Sequence, residues 1–264
     1  MIKDNHAYKD RFSVQAAEYR RFRPTYPLEL FGYLSSLTRE HTAAWDCATG
    51  NGQSAVALAS HYSKVIATDA SSSQIQQAIR HENVDYHTAP AHNNDIDDSS
   101  IDLVTVAQAV HWFSHRQFYD EVSRVLKPDG VIAVWAYHLP LVNPETDKLV
   151  ECLYATVLRP FWEDEIRHIE TGYRDLPFPF IKLQTPQFSM KANWNLREFA
   201  GYLETWSATA AYRQKNGQSP VEEMMQPLQK AWENPESKKS LSWPLILMAG
   251  RLKEENMPSS SRKK

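Results

Sequence analysis

From residue 43 to residue 137 the chain alternates two kinds of segment. Short runs, mostly apolar or β-branched, read as strands. Longer stretches with apolar residues every three or four positions read as amphipathic helices. The runs are AAWDCA, VIATD, VDYHTA, IDLVTVA and VIAVWAY. Between them, QSAVALASHY reads as a helix, and SSSQIQQAIRHE as another capped by Ser71 or Ser72. SHRQFYDEVSRVL is a third, stopping at Lys127-Pro128-Asp129-Gly130. This alternation predicts a parallel sheet with helices on both faces.

Outside that core the pattern changes. Residues 1–42 read as amphipathic helix broken by Pro24 and Pro27, and 143–175 and 195–234 as mainly helical. IKLQTPQFSM and SLSWPLILMAGRL read as two late strands forming an antiparallel edge. With no internal repeat or long linker, residues 1–256 are expected to form a single domain. Its parts are a helical lid (1–42), a core (43–137) and capping helices with the last strands (138–256). Residues 257–264 are a tail.

In open sheets of this kind ligands bind beyond the carboxyl ends of the strands. That edge collects Asp46 to Gly52, Asp69-Ala70, Ala89 to Asn93 and Gln108 to Phe113. Gly50 to Ala55 reads G-x-G-x-x-A, a turn that lets a ligand approach a helix N-terminus. Asp46 stands four residues earlier, a poor neighbour for a doubly anionic pyrophosphate. S-adenosylmethionine, with an ammonium and a sulfonium and no phosphate, removes the contradiction. Asp69 ends the second strand, where a carboxylate accepts from ribose hydroxyls in this topology. Each residue also has a local reading: Asp46 or Asp69 as a cap or turn aspartate, the glycines as a tight turn.

Composition narrows the function classes. The 264 residues carry a net charge of −3, which argues against a dedicated nucleic-acid or membrane binder. The two cysteines are far apart, so no disulfide framework or zinc site is expected. His111 and His115 stand four apart without an evident third ligand, so no metal is expected. The charged N-terminus resembles no signal peptide, no apolar run is long enough to span a membrane, and a cytoplasmic protein is expected.

The series WDCATGNGQSAVALA, VIATDAS, VDYHTAPAH, IDLVTVAQAVHWF and VLKPDGVIAVWAY resembles class I S-adenosylmethionine-dependent methyltransferases. RPTYP near the N-terminus, WSATAAYRQKNG and SWPLILMAGR are similar to the trans-aconitate methyltransferase-like group. The resemblance implies a Rossmann-like fold with a seven-stranded, mostly parallel sheet. It implies S-adenosylmethionine as cofactor and S-adenosylhomocysteine as product. Cofactor contacts would come from Tyr19, Arg23, Asp46, Ala48, Gly50, Gly52, Asp69, Ala70, Ala91, His92, Gln108 and Ala109. Ala48 stands where the usual motif has its first glycine, so the turn is expected to keep a negative φ there.

For the acceptor, Trp112, Trp206 and Arg213 are candidate contacts and His111 the candidate catalytic residue. Trp206, Thr209 and Arg213 would share one helix face over the pocket. An already ionised carboxylate oxygen needs no base, and arginines suit it, so a small carboxylic acid is the favoured acceptor. Open alternatives are a carrier-protein-bound acid, a nitrogen or carbon acceptor, and a non-catalytic cofactor-binding protein.

Overall fold

The computed structural model describes residues 22–253. Its first complete element is α1 (Leu28–Ser36), which buries Leu30, Phe31 and Leu34. The expected lid before residue 22 lies outside the described residues. The core follows the sequence pattern: β1 (Ala43–Cys47), α2 (Gln53–Leu58), β2 (Lys64–Asp69), α3 (Ser72–Gln77), β3 (Val84–Thr88) and β4 (Ile101–Ala107). A 3-10 turn (Val110–Trp112), α4 (His115–Val125) and β5 (Leu126–Tyr137) complete it. Ser71 caps α3 by accepting from the Gln74 N–H.

The sheet has eight strands in the order β3-β2-β1-β4-β5-β8-β6, with β7 also paired to β8. β1 to β5 are mutually parallel. β8 (Lys239–Arg251) runs antiparallel to β5 on one side and to β6 (Ile181–Lys182) and β7 (Ser189–Trp194) on the other. Seven strands were expected, because 181–190 reads as one. Pro186 interrupts that segment, since proline has no N–H to give to a ladder. Single backbone bonds from Leu183 to Ala249 and from Leu245 to Phe188 bridge the gap.

Alternation along β5 divides the core. Val131, Ala133, Trp135 and Tyr137 join one buried cluster, with α1, α2 and the late helices. Ile132, Val134 and Ala136 join another, with Phe118, Val122 and Val125 of α4. The boundary between α4 and β5 differs from expectation: Lys127-Pro128-Asp129-Gly130 is a bulged start of β5 rather than a free turn. Ile101 pairs with Leu126, yet Leu103 pairs with Val131. A side chain at Gly130 would collide with Leu126 and the Lys127 carbonyl, so only glycine fits this bulge.

Beyond β5 come α5 (Pro144–Cys152), a π-helical turn (Leu153–Val157), two 3-10 turns (Arg159–Phe161, Asp164–Ile166) and α6 (Arg167–Glu170). Three helices, α7 (Leu196–Glu204), α8 (Ser207–Asn216) and α9 (Pro220–Trp232), lie between β7 and β8 in sequence. Among the described residues no helix is long and apolar enough to cross a membrane.

Candidate active site

The parallel strands bring their carboxyl ends to one rim, and the glycine turn lies over β1 and β2. Three residues in five adopt left-handed backbone: Ala48 (φ 55°), Gly50 (φ 55°) and Gly52 (φ 81°). The Thr49 N–H donates to the Thr68 carbonyl, fastening the turn to β2. A Cβ at Gly50 would meet nothing within 4 Å, so its open side faces the space in front of the rim. At Gly52 a Cβ would strike the Tyr86 hydroxyl. The expected negative φ at Ala48 is therefore corrected. The turn keeps the conformation a glycine would take, and the alanine methyl bears the strain.

Asp46 is 1% exposed. Its Oδ2 accepts from the Thr49 hydroxyl at 2.6 Å and its Oδ1 from the Thr105 hydroxyl at 2.8 Å. Burial pushes its carboxyl up to about 6, against the pull of these hydroxyls and with a push from Asp69. Its direct partners lie within the fold, where it ties the glycine turn to β1 and β4. Asp69 accepts from the Gly50 N–H (2.9 Å) and from the Ser71 N–H (2.8 Å). The local turn role is thus real, and it also aims the carboxylate at the turn. Ala70 and His92 are exposed and Ala91 half-buried at the ends of β2 and β3.

Gln108, also left-handed (φ 55°), spends its amide on β5: Nε2 donates to the Tyr137 carbonyl and Oε1 accepts from the Tyr137 N–H. Ala109 beside it is half-buried. His111 is 3% exposed, and its Nδ1 lies 2.9 Å from the Tyr173 hydroxyl. Burial, with the nearby His168 and His115, drops its pKa to about 3, so the ring is neutral at pH 7. Instead of an open catalytic histidine, His111 is half of a buried pair joining the β4 rim to the 167–176 segment. Trp112 turns outward at 44% exposure.

Arg23 joins three elements. It donates to the Tyr137 hydroxyl (2.8 Å) and to the Thr205 carbonyl (3.2 Å), and stacks over Tyr202 at 5.3 Å. Tyr19 lies outside the described residues. Trp206 is buried among Tyr154, Trp162 and Tyr202, an aromatic wall near the end of β5. Arg213 is elsewhere: it pairs with Glu204 at 2.7 Å on the exposed side of α8. The expected shared face fails because Trp206 caps α8 with ψ 136°, so helical spacing does not run through it.

Sequence reasoning missed His138 and Leu139. They directly follow β5 and border a cavity of about 370 Å³ with Glu151, Tyr154, Ala155, Arg159 and Glu170. Position at a strand's carboxyl end was a usable signal for His138. Tyr173 and Glu170 gave none, coming from a stretch without regular period.

Known proteins match this chain widely. A family model described as a methyltransferase domain matches residues 45–134. A Dictyostelium discoideum protein described as a methyltransferase is 32% identical over 230 residues, 86% of this chain and 88% of the relative. A Saccharomyces cerevisiae protein described as an S-adenosylmethionine-dependent methyltransferase is 22% identical over 244 residues, covering 79% and 84%. A solved structure of a type II methyltransferase from Anaeromyxobacter dehalogenans is 40% identical, with a TM-score of 0.83. It covers 90% of this chain and 99% of its own. Likeness of this extent takes in the sheet, the glycine turn and the helices beyond, and the chain belongs to the class I S-adenosylmethionine-dependent methyltransferase family.

Proposed function

We propose that the protein binds S-adenosylmethionine over the carboxyl ends of β1 and β2 and transfers its methyl group to a small molecule beside β5. Gly50 carries this reading. Its left-handed backbone and open side, held by Asp69, offer the close approach that a nucleoside needs, and no phosphate is required near Asp46.

When bound, the cofactor supplies a methyl group already activated on a sulfonium sulfur. The chain's work is then to hold, orient and exclude water. Asp69 fixes the turn and would accept from the ribose hydroxyls. Asp46, through Thr49 and Thr105, keeps the turn at the end of β1. Arg23 clamps β5 to the α7–α8 junction, and Tyr154, Trp162 and Trp206 keep water from the acceptor. His111, neutral and paired with Tyr173, supports the rim and takes up no proton from the acceptor.

The narrower likeness to the trans-aconitate methyltransferase-like group would favour a carboxylate oxygen as acceptor. Of the polar residues expected at that acceptor, Arg213 is committed to Glu204 and His111 to Tyr173, and Arg23, expected at the cofactor, is held by the Tyr137 hydroxyl and the Thr205 carbonyl.

Calorimetry with S-adenosylhomocysteine, and with NAD as control, tests the cofactor. Micromolar binding of the first and none of the second is expected, and the reverse would refute the reading. Turnover against small acids, amines and phenols, read by product mass, separates an enzyme from a protein that only binds the cofactor.

A further inference from the structure

The cavity at the end of β5 has a charge pattern that the methyl-transfer reading does not explain. It lies on the ligand-binding edge of the sheet, one strand beyond β4. The π-helical turn Leu153–Val157, which supplies Tyr154 and Ala155, forms part of its wall. Such turns are rare and concentrate at functional sites. A volume of about 370 Å³ falls within the range of small-molecule pockets, about 300–1,000 Å³.

Two carboxylates and one guanidinium border it. Glu170 Oε1 accepts from the Tyr154 hydroxyl and from Arg159, each at 2.8 Å. Arg159 is therefore already matched. Glu151 makes no ion pair among the described residues. His138 adds no positive charge: burial lowers its pKa against the pull of Glu170, leaving it neutral at pH 7. Its Nε2 is buried without a hydrogen-bond partner among the described residues. The border thus carries a net negative charge beside the faces of Leu139 and Tyr154. Glu170 and Arg159 offset each other, so a carboxylate entering here would meet the excess charge of Glu151, whereas an ammonium would meet that charge, the Glu170 carboxylate and an aromatic ring.

We propose that this cavity seats the methyl acceptor and selects a small amine, its ammonium toward Glu170 and Glu151 and its apolar body against Leu139, Tyr154 and Ala155. The proposal rests on the methyl-transfer reading above, and cofactor binding is measured first so that the two fail separately. Absence of S-adenosylhomocysteine binding refutes the methyl-transfer reading. With the protein saturated by that product, the probes are 2-phenylethylamine, 2-phenylethanol and phenylacetate, compared by ligand-observed NMR titration. The amine is expected to bind at least tenfold more tightly than phenylacetate, with the alcohol between them. Glu170→Gln should weaken the amine about tenfold and leave S-adenosylhomocysteine affinity unchanged. If Glu170→Gln lowers the melting temperature, Glu151→Gln reads the same charge from an exposed position, with an expected threefold loss of amine affinity. Phenylacetate binding as tightly as the amine would overturn the proposal and restore the carboxylate acceptor. So would an amine affinity indifferent to both substitutions.

Discussion

Replacing Ala48 by glycine should stabilise this protein, against the usual effect of adding a glycine. Ala48 sits at φ 55°, where a Cβ crowds the following carbonyl. That conformation costs an L-residue roughly 1–2 kcal/mol. Glycine removes the strain but adds unfolded-state freedom worth about 0.4–1 kcal/mol. The balance is a gain of about 0.5–1 kcal/mol, or about 1–4 °C in melting temperature for a chain of this size. Gly50 supplies the control, since it has the same φ and an open side. Gly50→Ala should lose stability by a similar amount and put a methyl group where the cofactor approaches, weakening S-adenosylhomocysteine at least tenfold. Thermal unfolding of the three proteins at one concentration, followed by calorimetry, makes the comparison. If Ala48→Gly melts at or below the wild type, the left-handed turn at residue 48 is not the strained element described above.

Three further outcomes follow from the site. The carboxyl of Asp46, held up to about 6 by burial, ionises later in the folded chain than in the unfolded one. Stability should therefore fall by roughly 2–3 kcal/mol as pH rises from about 4 to about 6. Asp46→Asn should flatten this slope in denaturant titrations at pH 4 and pH 7, and an equal gap between variant and wild type at both would contradict it. Asp69→Ala, which leaves the Gly50 and Ser71 N–H groups without their acceptor, should weaken S-adenosylhomocysteine roughly ten- to hundredfold; unchanged calorimetric affinity in a folded variant would reduce Asp69 to a turn residue. Tyr173→Phe should cost about 1–3 kcal/mol, because the His111 Nδ1 is left buried without its partner, while cofactor affinity stays within twofold. A destabilisation below about 0.5 kcal/mol would mean that water replaces the hydroxyl.

The core and its rim were readable because their signals are local and periodic. β1, β4 and most of β2 and β5 are buried on both faces, so these strands stand out as apolar runs, while the edge strand β3 is largely exposed. Parallel pairing then puts Asp46, Gly50, Asp69 and Gln108 on one edge without further information. Side-chain commitments were not readable, because they depend on partners distant in sequence. His111 looked like a free rim histidine until Tyr173, sixty-two positions later, took its Nδ1. Arg213 looked like a pocket residue until Glu204 neutralised it. Segment 153–176 carries no single period, since π, 3-10 and α turns follow one another within it. Glu170 and Tyr173 therefore gave no advance sign. At Ala48 the residue type favoured a negative φ, and the demands of the turn prevailed.

The pairing of β7 with β8 bears on how such a molecule changes over generations. Trp194, the last residue of β7, lies opposite Lys239, the first of β8. Everything between them, residues 195–238 with α7, α8 and α9, leaves and rejoins the sheet at one rung. Closing an excursion anchored this way costs little more as it lengthens, because each doubling of a closed loop costs only about 0.6 kcal/mol, and changes outside its buried core residues are the ones tolerated. Its inner surface supplies Trp206 and the Thr205 carbonyl held by Arg23. Half of the aromatic wall, Tyr202 and Trp206, is thus carried on this excursion, so a lineage can rebuild that side of the wall while Tyr154, Trp162 and the parallel strands stay as they are.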